Sequence, residues 1–295
     1  MKVLIIQENG RHEKNRHLRE CHSMKRAFEF HKVDCDVWGL GHGYFRRGTT
    51  NIIPYTPDFD SYDLIINLEN YDEAGWVPDL STFKKPIKFL WSIDAHFRGF
   101  EVFKNEFQRG EYDLILQASK PFVDENSFWL PNAYDDDYLT PGDSKNKPYD
   151  VGFCGNILNR GSLLNSVDSE FGLKKDIFVI GQDMVDAIRS YKVHVNANIA
   201  YDMNYRNFET LGCGTILAAH NNNEQFAELG FIDNINCILF EDMEEFKEKV
   251  RKVLEDDTHR TKMSKEAKKL AKKHTYKERA KLIIEQWKVI NEQRL

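Results

Sequence analysis

The chain has 295 residues, of which 41% are apolar and 30% are charged, and 41 Lys and Arg against 47 Asp and Glu give a net charge of −6. This composition is typical of a folded globular protein and excludes a disordered chain. The net charge argues against a protein covered by nucleic acid over its whole surface, although a local basic patch is compatible with it.

The five cysteines stand far apart, and no C-x-x-C pair occurs among Cys21, Cys35, Cys154, Cys213 and Cys237. This pattern argues against a disulfide scaffold or a zinc ribbon and favours a reducing compartment. The sequence has no run of about 18 apolar residues, and its apolar start is too short for a secretory signal. We therefore expect a cytoplasmic protein without membrane insertion.

In the first half of the chain, short apolar segments alternate with polar loops and helical patterns. Such segments are predicted to be strands buried in a parallel sheet. They cover residues 3–6, 33–38, 62–67, 87–91 and 112–117, and a helix is predicted over residues 18–31. Strands that alternate with helices predict right-handed βαβ units in a doubly wound sheet.

A stretch rich in Pro, Asn, Asp and Gly, residues 131–149, predicts an interdomain linker. Beyond it, strands are predicted over residues 150–154, 177–181, 193–196, 215–219 and 237–240, and the chain from residue 242 onward is helical and charged. We therefore predict an α/β fold of two doubly wound, Rossmann-like domains that face a central cleft. The carboxyl ends of the strands would place the ligand in that cleft.

The most informative segment surrounds Arg206. A helix that begins near Tyr205 would place Arg206 and Glu209 one turn apart on the same face, and Gly212 and Gly214 would end it in a tight turn. A helix N-terminus attracts phosphate, an arginine adds bidentate contacts, and a carboxylate suits the hydroxyls of a ribose. The segment predicts a nucleotide-diphosphate site, and a capped helix with an internal ion pair is the structural alternative.

Three groups of residues follow one another in a recognisable order. They are residues 152–156 with Arg160, then Arg206, Phe208, Glu209 and Gly214 followed by the polar residues 221–224, and finally His274, Thr275 and Tyr276 with Arg279. This set resembles the signature of GT-B glycosyltransferases, and more narrowly that of the CgeB-like (spore maturation) glycosyltransferase family. The resemblance covers roughly residues 150–290.

The resemblance implies a GT-B fold in which residues 1–140 bind the acceptor, residues 150–276 bind a nucleotide-sugar donor, and a final helix, residues 277–295, packs back on the N-terminal domain. Glu209 would bind the ribose, and Arg160 and Arg206 would neutralise the diphosphate leaving group. The donor-binding residues implied are Gly155, Asn156, Arg160, Arg206, Glu209, Gly212, Gly214 and Thr215. No metal or other cofactor is implied, and no His, Asp and Cys cluster in the sequence has the spacing of metal ligands.

The resemblance also implies transfer with retention of the anomeric configuration. Retaining members carry a second carboxylate eight positions before the one at Glu209, where this chain has Tyr201 with Asp202 beside it. The stereochemical outcome therefore stays open at this point.

Two polar segments follow predicted strands of the N-terminal domain. After residue 91, Asp94 and His96 would face the cleft, where either could accept the proton of an acceptor hydroxyl. The alternative is that Asp94 caps the next helix and His96 is a solvated loop residue. Residues 69–72, after the preceding strand, are a weaker acceptor-site candidate.

The loop after the first strand, residues 8–19, is rich in Arg, Lys and His and contains Gly10. It would face the cleft and bind an anionic acceptor, including a nucleic-acid backbone, and His12 within it is a third candidate catalytic residue. Residues 39–43 with Arg46 and Arg47 would flank it. The alternative is that residues 8–19 form a plain surface loop before a charged helix.

The acidic residues 135–137 are predicted to form a solvated turn.

The function predicted is a glycosyltransferase that moves a sugar from a nucleotide-diphosphate sugar to an acceptor hydroxyl. The alternatives are a phage-type glycosyltransferase acting on hydroxymethylated pyrimidines of DNA and a GT-B sugar-nucleotide epimerase. A two-domain solute-binding protein would share the fold, but it normally carries an export signal, and none is found here.

Overall fold

A computed structural model describes residues 1–10, 12–42, 56–70, 75–143, 146–198, 203–221 and 224–294. The chain folds into two compact units. The first comprises Met1–Pro131 and Tyr276–Leu295, and the second comprises Asn132–Thr275. Each unit contains one sheet whose paired strands all run parallel.

The sheet of the first unit has the strand order β2-β1-β3-β4-β5-β6. Its strands are β1 (Lys2–Ile6), β2 (Asp34–Trp38), β3 (Leu64–Leu68), β4 (Ile87–Ser92), β5 (Leu114–Gln117) and β6 (Ser127–Trp129). Every residue of β3 and β4 is buried, as expected for central strands of a parallel sheet.

The sheet of the second unit has the order β11-β10-β9-β7-β8. Its strands are β7 (Tyr149–Gly155), β8 (Lys174–Ile177), β9 (Tyr191–Asn196), β10 (Ile216–His220) and β11 (Ile238–Phe240). A Cβ on Gly152 would lie 2.2 Å from the Tyr191 ring, so only glycine allows this close packing across β7 and β9.

Ten α-helices lie in the described part of the chain. They are α1 (Glu20–Phe30), α2 (Ala95–Arg98), α3 (Phe100–Arg109), α4 (Gly161–Phe171), α5 (Gln182–Ser190), α6 (Tyr205–Gly212), α7 (Gln225–Glu228), α8 (Met243–Glu255), α9 (Asp257–Ala271) and α10 (Tyr276–Arg294). Helix α10 packs on α1 within the first unit, and Arg294 donates to both carboxylate oxygens of Asp113, at 2.6 and 2.8 Å. In the described residues, we find no helix long and apolar enough to cross a membrane.

The two parallel α/β sheets confirm the predicted fold class, and most predicted strands are found within a residue or two. The strand predicted at residues 177–181 is wrong, because β8 covers Lys174–Ile177 and ends where that segment begins. Phe178 has a φ of 57° and turns the chain out of the sheet. The short strand β6 had no signal in the sequence. Residues 132–148, within the predicted linker, belong to the second unit.

Candidate functional site

The second sheet reverses its winding between β7 and β9. Strand β8 lies on one side of β7, whereas β9, β10 and β11 follow on the other. Ligands of open α/β sheets bind at the carboxyl ends of the strands next to such a switch point. The residues there are Gly155, which ends β7, with Asn156 after it, and Asn196, which ends β9, with Ala197 and Asn198 after it.

Arg160 joins the two loops at this switch point. Its Nε donates to the carbonyl oxygen of Ala197 at 2.9 Å, and its Nη1 donates to the carbonyl oxygen of Asn156 at 2.9 Å. These bonds fix a guanidinium group beside Gly155 and Asn156. The structure therefore brings three of the predicted donor-binding residues together.

Helix α6 begins beside the end of β9. It starts at Tyr205, as predicted, and the side chain of Asn204 caps it by accepting a hydrogen bond from the Arg206 amide at 3.1 Å. Arg206 Nη1 donates to Glu209 Oε2 at 2.6 Å, and the two side chains are 19% and 16% exposed. The structure confirms that Arg206 and Glu209 lie one turn apart on the same face, and it contains the helix cap and internal ion pair that the structural alternative describes. The ion pair leaves a partly accessible cation and carboxylate at the N-terminal end of the helix, where anions bind.

Four asparagines, which the sequence reasoning missed, connect β9 to α6. Asn196 Nδ2 donates to Asn204 Oδ1 at 3.0 Å and to Asn207 Oδ1 at 2.9 Å, and Asn207 Nδ2 donates to Asn198 Oδ1 at 2.8 Å. Such a buried network fixes the approach of the helix start to the strand end. The density of asparagines between residues 196 and 207 was the available signal.

A second network lies beneath the first turn of α6. The Cys154 amide donates to His194 Nε2 at 3.1 Å, so that the Nδ1 of His194 carries the proton and donates to Thr210 Oγ1 at 2.7 Å. Thr210 in turn donates to the Arg206 carbonyl oxygen at 2.5 Å. Burial, and secondarily the nearby Arg206, hold the pKa of His194 well below its usual value.

Gly212, Gly214 and Thr215, also predicted to bind the donor, are not brought to the switch point. They lie at the C-terminal end of α6, before β10, and therefore at the opposite edge of the sheet. A Cβ on Gly212 would lie 2.4 Å from the Tyr134 ring, and Gly214 has a φ of 69°. The Thr215 hydroxyl is buried and donates to the Ile188 carbonyl oxygen at 2.7 Å. Packing and the turn account for these three residues.

In the first unit, Asp94 and His96 follow β4. Glu69, after β3, accepts hydrogen bonds from the amides of Ile93 and Asp94, the latter at 2.8 Å, and thus holds the loop. Asp94 stands before α2 but its side chain makes no capping bond to the helix, so the capping alternative is wrong. Although Asp94 is exposed by its accessible surface, the dense packing around its carboxyl group raises the pKa of that group, and His96 opposes the rise. Burial lowers the pKa of His96.

The loop after β1 surrounds a pocket of about 330 Å³, which is lined by Glu8, Gly10, His12, Asn15 and Arg19. Arg19 donates to the carbonyl oxygen of Glu8 at 3.2 Å and lies 3.7 Å from a carboxylate oxygen of Glu20. His12 and Lys14 are exposed, at the start of the short 3₁₀ helix Glu13–Leu18.

Several predicted residues fall outside the described part of the chain. They are Arg11, Gly43, Arg46, Arg47, Tyr71, Asp72, Tyr201, Asp202, Asn222 and Asn223. The prediction of a solvated turn at residues 135–137 is wrong for Asp135, which is only 4% exposed. Two residues of the C-terminal motif are structural: His274 Nε2 bonds the Leu229 carbonyl oxygen at 2.8 Å, and Arg279 Nε donates to that of Pro131 at 2.7 Å.

Residues 164–285 match a protein-family model described as "Glycosyl transferase-like". An alpha-glucosyltransferase solved with UDP and a 13-mer DNA containing a central A:G mismatch has a similar structure, with a TM-score of 0.69 and 12% identity over 99% of this chain and 100% of that one. The fold is that of the GT-B glycosyltransferases. The family match confirms the predicted enzyme class.

Two further GT-B structures are similar over nearly the whole chain. Sucrose-phosphate synthase from Thermosynechococcus elongatus has a TM-score of 0.67 and 11% identity, and covers 99% of both chains. Anabaena Alr3699/HepE in complex with UDP and glucose has a TM-score of 0.63 and 14% identity, and covers 98% of this chain and 100% of its own. No curated protein sequence matches this one.

Proposed function

We propose that the chain transfers a sugar from a nucleotide-diphosphate sugar, with UDP-glucose as the first candidate donor, to an acceptor hydroxyl. The observation that carries this proposal is the convergence of Arg160, Arg206 and Glu209 on the carboxyl edge of the second sheet, at its switch point. Such an edge is where α/β folds bind nucleotides. The similar Anabaena protein was solved with UDP-glucose, which supports the choice of donor.

In this proposal, Glu209 accepts hydrogen bonds from the ribose hydroxyls, while Arg160, Arg206 and the first amides of α6 face the diphosphate. Negative charge accumulates on the diphosphate as the glycosidic bond breaks, and two guanidinium groups stabilise it without a metal ion. The asparagine network and the His194–Thr210 contact hold the start of α6 in place, which keeps these groups preorganised.

The acceptor belongs, in the proposal, to the first unit. Asp94 serves as the base if the transfer inverts the anomeric centre, and His96 contacts the sugar if the transfer retains it. Retention and membership of the CgeB-like branch rest on the motif resemblance. A cytoplasmic location is supported by the absence of any disulfide among the five cysteines, all of which are buried and free.

A second candidate, glycosylation of a hydroxymethylated base in DNA, is favoured by one observation. Lys14, Arg16 and Arg19 lie together at the loop after β1, in a chain whose net charge is −6. The similar alpha-glucosyltransferase was solved with DNA, which supports this choice of acceptor. An epimerase would instead consume the donor with no acceptor present.

The test begins with a thermal-shift screen of UDP-, GDP-, ADP- and TDP-sugars. A ligand at about 100 times its dissociation constant stabilises the folded state by about 2.7 kcal/mol. We expect UDP-sugars to raise the melting temperature, and no shift with any nucleotide would contradict the proposal. NMR of the product anomeric proton then gives the stereochemistry, and donor consumption without acceptor would identify an epimerase.

A further inference from the structure

A cysteine and two histidines meet at the carboxyl ends of β1 and β2. Ligand atoms of Cys21, His22 and His42 all lie within 4.8 Å of one another. Cys21 and His22 belong to the first turn of α1, and His42 follows β2. We propose that this Cys-His cluster binds a zinc ion, a site that is separate from the proposed donor site and takes no part in the transfer step.

The hydrogen bonds of the two imidazoles leave one nitrogen of each for a metal. His22 Nε2 lies 2.6 Å from Asn9 Oδ1, and His42 Nε2 lies 2.9 Å from the Gln7 carbonyl oxygen. The orientation of the Asn9 amide is fixed because its Nδ2 donates to the Gly41 carbonyl oxygen at 3.0 Å. Both Nε2 atoms therefore face acceptors and carry the protons, and both Nδ1 atoms keep their lone pairs.

This arrangement is the one that metal-binding histidines use. A ligating imidazole almost always donates its other N–H to a carbonyl or carboxylate oxygen, which fixes the tautomer and the ring orientation. Here two histidines from different elements do so, each with its own acceptor. The rings lie 5.3 Å apart at an angle of 57°, so they do not stack on each other.

The third ligand, Cys21, is fully buried and forms no disulfide. Its backbone is held because the amide donates to Gln7 Oε1 at 2.9 Å, and Gln7 Nε2 donates to Glu20 at 2.9 Å. On binding, a sulfur–zinc bond forms and the thiol proton passes to solvent. Arg19 and Arg26 lie close enough to His22 to repel a bound cation, and the negative charge of the Cys21 thiolate offsets that repulsion.

The donor set selects the metal. One thiolate and two imidazoles suit zinc, whereas calcium and magnesium require oxygen ligands. Around tetrahedral zinc, ligand atoms are separated by roughly 3.3–3.7 Å, so ligand atoms that lie within 4.8 Å of one another have to contract by at most about 1.5 Å. Three protein ligands leave a fourth position for water. The ion would tie the ends of β1 and β2 to α1, where the loop of residues 8–19 leaves the sheet.

The test uses the full chain, stripped of metal and titrated with cobalt, which reports thiolate ligation by a near-ultraviolet charge-transfer band. We expect one equivalent to bind, zinc to displace it, and Cys21→Ser and His42→Gln each to abolish the band. Matched controls, Cys35→Ser and His31→Gln, should keep it, because both residues lie outside the cluster. Asn9→Ala, which removes the acceptor of His22 and the bond to Gly41 but no metal ligand, should weaken binding by roughly 10–100-fold.

Failure of wild-type protein to bind cobalt or zinc, or a thiolate band that persists in Cys21→Ser, would overturn the proposal. If Cys21→Ser does not fold, the cobalt affinities of His42→Gln and Asn9→Ala test the proposal instead. An unchanged affinity in both variants would exclude the metal site. UDP binding by the metal-stripped chain is measured in parallel. Its loss or presence tests the donor site, whereas the cobalt titrations alone decide whether the cluster binds a metal ion.

Discussion

Glu69 accepts a hydrogen bond from the backbone amide of Asp94 at 2.8 Å, although the two residues lie on loops that follow different strands. Glu69 holds a φ of 57°, which few non-glycine residues adopt, and Arg98 lies 3.7 Å from its second carboxylate oxygen. The position of Asp94 therefore depends on a side chain 25 residues earlier. The loop after β4 is set by the loop after β3.

The proposed role of Asp94 as a base can be tested by the pH dependence of the reaction. Its pKa is raised by burial, so its charged, proton-accepting form is lost as pH falls through a value above the usual aspartate range. If Asp94 is the base, kcat/KM should fall on that acid side, and Asp94→Asn should reduce kcat by roughly 10²–10⁴-fold. Glu69→Gln should alter the pH profile while leaving UDP affinity unchanged. A full-rate Asp94→Asn enzyme would exclude the role.

Glu209→Ala should weaken UDP binding by roughly 1.5–3 kcal/mol, since a hydrogen-bonded charged acceptor for the ribose is lost. The matched control is Glu266→Ala, which removes a comparable one-turn ion pair, with Lys269 at 2.7 Å on α9. Calorimetry with UDP measures both variants. Loss of folding without loss of affinity in the folded fraction would make Glu209 a structural residue.

Arg160→Ala and Arg206→Ala should separate diphosphate binding from nucleoside binding. Each should weaken UDP binding more than uridine binding, because charge-assisted contacts to phosphate are lost while the nucleoside contacts remain. Arg189→Ala is the control, since Arg189 lies in the same unit and bonds Thr140 at 2.6 Å. Equal losses for UDP and uridine would argue that the two arginines act only on the loop structure.

Lys14→Ala combined with Arg16→Ala should slow transfer to an anionic acceptor and leave UDP affinity intact. For a duplex DNA acceptor, each lost phosphate contact should reduce the log–log salt slope of binding by about 0.9. Lys262→Ala with Lys265→Ala removes the same charge from exposed positions of α9 and should change neither quantity. Normal transfer kinetics and an unchanged slope in the first variant would remove this loop from the acceptor site.

His194 should make stability depend on pH. Its native pKa lies well below the usual value, so in mild acid the unfolded chain binds a proton that the native chain does not. Stability should therefore fall as pH drops below about 6.5, by at most about 1.4 kcal/mol per pH unit from this group. Urea unfolding between pH 7 and 5 measures the slope. His194→Gln should flatten it, whereas His220→Gln, on the neighbouring strand, should not.

The sequence predicted those features of the fold and the candidate site that depend on residues close together in the chain. Arg206 and Glu209 were predictable as a pair because one helical turn relates them, and the buried strands were predictable because apolar runs mark them. Gly212 and Gly214 were predicted to bind the donor together with Arg206 and Glu209 because all four belong to one sequence motif. The two ends of a helix face opposite edges of the sheet, and sequence distance does not show this.

Other features depend on contacts between distant segments. His42 lies 20 residues from His22 in the sequence, and only the pairing of β1 with β2 brings them together. The shift of β8 reflects the backbone of Phe178, which takes a positive φ against the expectation for an aromatic residue. The polar residues of β8, by contrast, occupy an edge strand that no apolar pattern could mark.

Helix α10 packs on α1, so the first unit contains both the start of the chain and its last helix. This arrangement affects how the protein folds during translation. The ribosome synthesises β1 to β6 first, then the entire second unit, and only then the helix that covers α1. The surface that receives Ala280 and Ile283 stays open on the ribosome for that interval. Domains usually finish folding in the order of their synthesis. Here the unit that starts first is completed last.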